Sequence, residues 1–450
     1  MNSGGGPLIS RRLFFQIAGS SVAGYFLSPF DVLSGQSRSY ANDAILLNTA
    51  KNVIFILCAG APSQIDTFDL RVGSWTPEDF APTTINGIDF PEGLMPNIAR
   101  QLDKITIVRS CVTNALVHAL SQSWSQIARN PTSAIGRIAP NIGAIVALET
   151  ESSRTVSQPL PGFVSLNTGG NIMREGYLSG RYGPFDIAPA ANGIANLAHP
   201  DGDQSFADRY ELLRRLNRGG VSRPEFEQFE DFFDTGRKLM NDPQVTATFR
   251  FTNQEQQRYG NSAFGSSCIV ARNLVNANLG TRYIQINHAG WDHHANIYTK
   301  NNGGLYTQCR QLDFGVANLI SDLAAMPGSA GKSRLDETLI IVKGEFGRTV
   351  GDITELALGR DHYPVHPALF AGGGVIGGRV IGTTTADGAN IEEPGWAQYR
   401  PVGIEDVAAT IYSSLGIDYS TVRHDDPFER GFEYIPPLDW QVYPIVDLFV

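Results

Sequence analysis

Short, predominantly apolar runs recur along the chain, and they limit the choice of fold more than any other feature. The clearest are residues 53–58, 105–108 and 338–342. Such runs are typical of strands that are buried on both faces of a parallel sheet. Segments with helical spacing lie between them, for example the apolar stripe within residues 312–323. The alternation predicts an α/β fold with a largely parallel central sheet flanked by helices.

The composition describes a globular protein and excludes some partners. The length of 450 residues is enough for one large domain or two ordinary ones. The hydrophobic fraction of 42% is typical of a globular protein. The formal net charge of −10 argues against a nucleic-acid partner, because phosphate binding requires a basic surface. Four widely spaced cysteines without a CxxC pair do not match a zinc-thiolate site. Exported chains can carry disulfides, but Cys58 lies within an apolar run and is expected to be a buried thiol.

The N-terminal segment has the pattern of an export signal. Arg11 and Arg12 precede an apolar run that Gly and Ser residues interrupt, and a small residue pattern follows at Ser39 to Ala41. This pattern resembles a twin-arginine signal over residues 1–41, with a periplasmic or extracellular protein as its product. No later stretch is predicted to cross a membrane. The alternative interpretation is an amphipathic leader or an uncleaved anchor.

The mature domain, residues 42–450, contains a stretch of different character at about 169–257. Gly- and Asn-rich turns are followed by charged helical segments at 206–216 and 224–240. The helices have one polar face and few ligand-type residues. We therefore expect an inserted cap region that covers an edge of the sheet.

The strongest signal for a functional site follows the apolar strand near Tyr283. Asp292, His293 and His294 come directly after Gly290, at the position where α/β folds place their sites. Five of the eight histidines lie within about a sixth of the sequence: His288, His293, His294, His362 and His366. Carboxylate and imidazole groups together suit zinc and similar divalent ions. A polar loop without a ligand is the alternative interpretation.

Three further loops carry ligand-type residues after or near apolar strands: Asp66 with Asp69, Glu345 with Arg348, and Asp361 with His362. The carboxyl ends of parallel strands share one edge of a sheet, so these loops can converge. Together they can supply the ligands of a two-metal centre. An arginine beside such a centre can hold a tetrahedral oxyanion with two hydrogen bonds. A salt bridge within a turn is the alternative interpretation for Glu345 and Arg348.

Candidate nucleophiles follow the predicted strand 105–108. Ser110, Thr113 and His118 lie between this strand and a predicted helix. A loop between a strand and a helix is a common place for a catalytic hydroxyl. Serine and threonine are also frequent helix caps, so a structural role stays open for each.

Several motifs together resemble one bacterial family. They are the twin-arginine leader and residues 60–69 (GAPSQIDTFD), 290–294 (GWDHH), 344–349 (GEFGRT), 359–364 (GRDHYP) and 371–378 (AGGGVIGG). The combination resembles the domain of unknown function 1501 family, a sulfatase-like branch of the alkaline phosphatase superfamily. The similarity covers nearly the whole chain and is weakest across residues 169–257.

The resemblance implies an alkaline phosphatase-like fold and an exported hydrolase of phosphate or sulfate esters. It implies a centre of one or two divalent ions, with zinc first and calcium, magnesium or manganese as alternatives. The positions that match the ligand motifs are Asp66, Asp292, His294, Glu345 and His362. Arg348 is expected to contact the ester oxygens of a small-molecule substrate, and the oligomeric state stays open.

The chain also departs from the superfamily pattern. Phe346 stands where a histidine ligand is expected, which leaves a second metal ion short of a ligand. Cys111 lacks the downstream arginine of the sulfatase formylglycine motif, and the segment from Cys268 to Arg272 has Val270 in place of Pro or Ala. These departures favour the alternative function, a non-catalytic exported binding or assembly protein on the same fold.

Overall fold

A computed structural model describes residues 44–194, 200–218, 236–237, 239–240, 242–300, 303–436 and 441–450. Ala44–Val450 form one compact unit. The expected twin-arginine signal, residues 1–41, lies outside the described residues and stays a prediction. Most of the helical segment expected at 224–240 also lies outside them.

The central sheet has eight strands. In chain order they are β1 (Asn52–Leu57), β2 (Ile105–Val112), β3 (Phe163–Leu166), β4 (Phe185–Ile187), β5 (Tyr283–Asn287), β6 (Thr338–Lys343), β7 (Val365–Ala371) and β8 (Arg379–Ile381). Their order across the sheet is β8-β2-β7-β6-β1-β5-β3-β4. All neighbours are parallel except the pairs that involve β7, which runs antiparallel to both β2 and β6. The predicted largely parallel sheet is confirmed.

Helices cover both faces of this sheet. In chain order they are α1 (Pro96–Ala99), α2 (His118–Ile127), α3 (Ile142–Glu149), α4 (Gly202–Arg218), α5 (Pro243–Thr248), α6 (Asn253–Arg258), α7 (Ala263–Ala277), α8 (Leu305–Ala325) and α9 (Ile404–Ser414). Alternate residues of β1 enter two separate cores. Ile54 and Ile56 lie in the core with α7 and α8, whereas Val53 and Phe55 lie in the core with α3 and α9. Burial on both faces explains why the β1 run has no polar position.

The apolar runs located the central strands well, and the short edge strands were missed. The runs at 53–58, 105–108 and 338–342 correspond to β1, β2 and β6. Strands β4 and β8 have only three residues each, which is too short for a periodicity to stand out. Because β4 forms an edge of the sheet, the stretch expected as an inserted cap at 169–257 contributes to the sheet itself.

The reversed direction of β7 decides which of its ends faces the site. Its first residue, Val365, lies at the edge where the parallel strands end, so the segment just before it belongs to that edge. A two-residue ladder supports the segment, with Gly347–Arg348 pairing antiparallel with His362–Tyr363. The glycines at 372–374, which follow β7, lie at the opposite edge.

Two further predictions concern membrane-spanning helices and the cysteines. Within the described part of the chain, no helix has the length and apolar character needed to cross a bilayer. All four cysteines are buried free thiols, as expected for Cys58.

Gly60 lets the loop after β1 lie against the loop after β5. Its φ of +107° is a left-handed conformation that favours glycine. A Cβ atom at this position would lie 2.5 Å from the Asp292 backbone nitrogen and 2.8 Å from that of Trp291. The close approach therefore requires a residue without a side chain.

We predict that Gly60→Ala destabilises the protein far more than Gly87→Ala. Gly87 also has a positive φ, of +78°, but a Cβ added there would meet no other part of the protein within 4 Å. Gly60→Ala should lower the free energy of unfolding by about 2–5 kcal/mol, because backbone strain and a steric clash add together. Gly87→Ala should cost about 1–2 kcal/mol from strain alone. Equal losses in urea denaturation would contradict the close contact.

Candidate metal centre

Four segments bring potential metal ligands to one point above the sheet. His118 begins α2, which follows β2, and Asp292 and His294 lie in the loop after β5. His362 lies in the segment before β7. Their nearest ligand atoms all lie within 4.8 Å of one another. The convergence that the sequence pattern suggested is therefore present for Asp292, His294 and His362, and His118 joins them.

The distances within this cluster suit a single ion. Asp292 Oδ1 lies 3.2 Å from His118 Nε2 and 3.0 Å from His294 Nε2. His294 Nε2 lies 3.0 Å from His362 Nε2. Ligand atoms bound tetrahedrally to zinc at about 2.0 Å are roughly 3.3 Å apart. The donor set therefore suits a zinc-type ion, and three of the six ligand pairs have the spacing of such a site, with all pairs within 4.8 Å.

Each imidazole has its other ring nitrogen next to a partner outside the cluster. His118 Nδ1 lies 2.6 Å from Glu345 Oε1, and His362 Nδ1 lies 2.7 Å from the Leu116 carbonyl oxygen. His294 Nδ1 lies 3.6 Å from Asp361 Oδ1. Metal-binding histidines usually donate their second N–H to such partners, which orients the ring and fixes the tautomer. All three rings present Nε2 to the cluster.

Glu345 supports the cluster from behind. Its carboxylate is buried, and Oε1 also accepts hydrogen bonds from the Gly60 backbone N–H at 2.9 Å and from Gln122 Nε2 at 2.8 Å. The sequence motif suggested Glu345 as a direct ligand. The structure instead places it against Nδ1 of His118, on the side of that ring that faces away from the other ligands.

Arg348 is a buried brace between loops. Its Nε donates to the Ala61 carbonyl at 3.1 Å, Nη1 to the Arg360 carbonyl at 3.1 Å, and Nη2 to the Gly60 carbonyl and, at 2.6 Å, to Asp292 Oδ1. Nη1 also lies 3.4 Å from His294 Nε2. A guanidinium has five N–H groups, and four of them donate to these carbonyl and carboxylate oxygens. The remaining N–H group faces His294 Nε2, so Arg348 does not have the two free N–H groups that a two-pronged grip on an ester oxyanion requires.

Local charges shift the pKa values within the cluster in opposite directions. The hydrogen bond to Glu345 raises the pKa of His118, despite its partial burial. Burial lowers the pKa of His362, and the positive charge of Arg348 lowers it further. Burial alone would raise the pKa of Asp292, but the Arg348 hydrogen bond and charge outweigh it, so the Asp292 pKa is lowered. Asp292 is thus held as a carboxylate, the form that binds metal.

Asp66 lies in a different interaction from the one its motif suggested. Its carboxylate accepts a hydrogen bond from Arg360 Nε at 2.8 Å, from the Tyr298 hydroxyl at 2.8 Å and from the Ser63 hydroxyl at 2.6 Å. Both Asp66 and Arg360 are fully buried. Asp66 therefore neutralises an internal arginine, and it is not among the grouped ligands.

The hydroxyl candidates after β2 have structural contacts. The buried Ser110 hydroxyl donates to the Pro394 carbonyl at 2.8 Å. Thr113 Oγ1 donates to the Ala115 carbonyl at 3.2 Å and lies 3.4 Å from the Ser121 hydroxyl. Of the three candidates on this segment, only His118 reaches the cluster, where its Nε2 offers a ligand atom.

Sequence reasoning proposed His118 for catalysis and did not group it with the metal ligands. Its position at the first residue of a helix after a strand was the available signal.

Phe346, which stands in place of an expected histidine, packs against the cluster instead. Its ring centre lies 4.7 Å from that of His118 and 4.5 Å from that of His362. It forms an apolar wall beside the ligands.

The other histidines of the downstream group are buried elsewhere. His288 accepts a hydrogen bond from Trp291 Nε1 at 3.2 Å and stacks on Phe264, and His293 Nε2 lies 3.0 Å from the Gly303 carbonyl. His366 is also buried, and burial lowers its pKa to about 3. Sequence density alone could not separate these core histidines from the ligands.

The family comparison matches most of the chain. The family model described as "Protein of unknown function (DUF1501)" matches residues 50–429. No curated protein matches the sequence. The resemblance drawn from the sequence motifs is therefore confirmed at the level of the family.

Solved structures with a similar overall arrangement include members of the expected superfamily. A protein in the alkaline phosphatase superfamily from Vibrio parahaemolyticus is 11% identical, with 83% of this chain and 68% of that chain covered and a TM-score of 0.37. A structure described as a sulfatase, from Bacteroides thetaiotaomicron, is 12% identical, with coverages of 82% and 71% and a TM-score of 0.37. The lipoteichoic acid synthase LtaP from Listeria monocytogenes is 11% identical, with coverages of 89% and 79% and a TM-score of 0.38.

We predict that Asp66→Asn destabilises the protein without removing the metal. The substitution leaves the buried Arg360 charge without its carboxylate, so the free energy of unfolding should fall by about 3–5 kcal/mol. Replacing both residues, as Asp66→Leu with Arg360→Met, should cost less than the sum of the two single changes. Denaturation and elemental analysis test both points. Loss of metal at unchanged stability would instead identify Asp66 as a ligand.

We predict that His288 makes the protein sensitive to acid. Burial lowers its pKa from the ordinary 6.5 to about 4. The unfolded chain therefore takes up a proton at a higher pH than the native chain, and stability is complete above pH 6.5 and decreases toward pH 4. The expected slope is about 1.4 kcal/mol per pH unit. In His288→Gln, denaturation between these pH values should show a slope smaller by that amount, and an unchanged slope would contradict the assignment.

Proposed function

The chain belongs to the DUF1501 family, and we propose that it is an exported metal-dependent hydrolase of phosphate or sulfate esters. The observation that carries the proposal is the cluster of His118, Asp292, His294 and His362. Three imidazoles and one carboxylate are a donor set that suits zinc. The proposal is for one ion, because the other suggested ligands are engaged elsewhere, Asp66 with Arg360 and Glu345 with Nδ1 of His118.

The role of the ion, when bound, would be to polarise an ester oxygen and to lower the pKa of a bound water. The protein side chains prepare this site. Glu345 orients His118, and the Leu116 carbonyl orients His362. Arg348 holds Asp292 in place and keeps it ionised. These contacts are preformed, so binding of an ion requires little reorganisation of the ligands.

Water is the proposed nucleophile. All four cysteines are buried, and burial raises the pKa of Cys111 to about 12 and that of Cys268 further still. A thiol at such a position is not available as a nucleophile. Ser110 is buried and bonded to a carbonyl oxygen. Water would attack the phosphorus or sulfur atom, and the ester oxygen would leave with a proton as the alcohol.

Export is part of the proposal and rests on the sequence alone. Arg11 and Arg12 with the following apolar run match a twin-arginine signal. Proteins exported by this route are folded before transport, which is consistent with loading of a metal ion beforehand. The proposed location is the periplasm or the extracellular space.

We predict one zinc ion per chain after loading and dialysis. Asp292→Ala combined with His294→Ala should remove it, since two of the four ligands are lost. Glu345→Gln should weaken zinc binding by about 10–100-fold, because His118 loses the carboxylate that orients it. His424→Ala is the matched control, since this histidine is exposed and outside the cluster. Elemental analysis and competition with a chelator provide the measurements.

The outcomes separate the two functions considered. Zinc in the wild type but not in the double variant, with zinc-dependent hydrolysis of 4-nitrophenyl phosphate or 4-nitrophenyl sulfate, supports the hydrolase. Zinc binding without turnover of either ester would favour the alternative, a non-catalytic binding or assembly protein. Equal zinc in the wild type and the double variant would contradict the proposed centre.

A further inference from the structure

Two loops that border the metal centre carry exposed apolar side chains. Among the described residues with large exposed apolar side chains, Leu116 and Val117 lie directly before His118. Leu356 and Leu358 lie on the loop before Arg360. We call these four residues the apolar rim. A group of exposed apolar residues next to a polar site is a feature of ligand-binding surfaces.

The first half of the apolar rim is attached to two of the proposed ligands. Val117 is the N-cap of α2 and His118 is its first residue. The Leu116 carbonyl oxygen lies 2.7 Å from His362 Nδ1. The side chains of Leu116 and Val117 are nevertheless 41% and 60% exposed. The contact with His362 therefore holds these two apolar residues at the entrance of the cluster.

The second half is attached to the loop that carries His294. The Ile297 N–H donates to the Leu358 carbonyl at 2.9 Å, and the Asn296 N–H donates to the Ala357 carbonyl at 2.8 Å. Gly359 lies so close to His294 that a Cβ would be 2.1 Å from the His294 carbonyl carbon. The side chain of Leu356 is fully exposed.

The backbone at Leu358 is an independent sign that the loop conformation is constrained. Its φ is +55°, in the left-handed region that leucine rarely adopts. Strained residues of this kind persist where the surrounding structure enforces them, and they are common near functional sites. Here the enforced conformation leaves 47% of the Leu358 residue exposed beside the site.

We propose that the apolar rim binds the hydrophobic alcohol part of the ester substrate. This inference rests on the proposed function, in which the cluster holds the phosphate or sulfate group. A substrate that reaches both regions must be amphiphilic, with an anionic head and an apolar group. The chain would therefore prefer esters of hydrophobic alcohols over esters of sugars or other polar alcohols.

Charge on the same loop favours a single substrate molecule over a membrane surface. Asp352 and Glu355 are exposed close to Leu356 in sequence, and the whole chain carries a formal charge of −10. An anionic bilayer would be repelled by these carboxylates. A single amphiphile places its one negative group at the metal centre instead.

The test measures binding of methylphosphonate, butylphosphonate and octylphosphonate to the zinc-loaded protein by calorimetry. Each methylene group that the rim buries should tighten binding by about fourfold. Octylphosphonate should bind at least ten times more tightly than butylphosphonate. In the double variant Val117→Ser with Leu356→Ser this ratio should fall below three, while methylphosphonate binds as before. Serine is also a favourable N-cap for α2, so the variant should fold.

Val156→Ser is the matched control. Val156 is fully exposed, and it lies in the segment before β3, at the opposite edge of the sheet. This variant should keep the dependence on chain length that the wild type shows. The same substitution type therefore tests whether the position of the apolar residue matters.

Four results would overturn the inference. Binding that does not depend on chain length in the wild type would show that the rim has no part in binding, although the proposed hydrolase could still be correct. An unchanged dependence in the double variant would also reject it. Binding to phosphatidylcholine vesicles that is lost in the double variant, without any dependence on chain length, would assign the rim to a membrane. If no phosphonate binds at all, the cluster does not hold a phosphate-type group, and both the phosphatase form of the proposed function and the inference fail.

Discussion

The candidate centre depends on one buried cation, Arg348. Its guanidinium donates to backbone carbonyls of the loop after β1 and of the segment before β7, and it also donates to Asp292 in the loop after β5. A buried guanidinium with four N–H groups donating to oxygen atoms tolerates little displacement of its partners, because an unsatisfied buried charge is costly. The three loops are therefore fixed relative to one another before any ligand binds. The same contact keeps Asp292 ionised, so the interaction that orders the loops also prepares the ligand set.

Hydrogen-bond partners outside the cluster determine which nitrogen atom each histidine presents to it. Glu345 and the Leu116 carbonyl occupy the Nδ1 sides of His118 and His362, which leaves both Nε2 atoms facing the cluster. The sheet makes this arrangement accessible, since parallel strands deliver their following loops to one edge. Strand β7 is the exception, because it runs antiparallel to its neighbours and begins at the edge where they end. His362, which lies just before β7, therefore reaches the same edge. Leu116 and Val117, whose apolar side chains are exposed, directly precede the ligand His118.

Much of the fold and part of the centre could be predicted from the sequence. Predominantly apolar runs identified β1, β2 and β6, since burial on both faces of a sheet favours apolar residues. Asp292 and His294 could be predicted as ligands because they lie in the loop after an apolar strand. The pairing of Asp66 with Arg360 could not be predicted from the sequence, because these residues are far apart in the chain and only the fold brings them together. The role of His118 depends in the same way on Glu345. His288 and His366 have the same side chain as the ligands, and only their burial shows that they belong to the core.

The central claim is that His118, Asp292, His294 and His362 hold one metal ion. The most direct measurement is anomalous diffraction at the zinc absorption edge from crystals of the zinc-loaded protein. The account predicts one strong peak per chain, about 2.0–2.2 Å from the Nε2 atoms of the three histidines and from an Asp292 oxygen. A peak at Asp66 or Glu345 would show that the ligand set is different. The absence of a peak within the cluster at full zinc occupancy in solution would contradict the account.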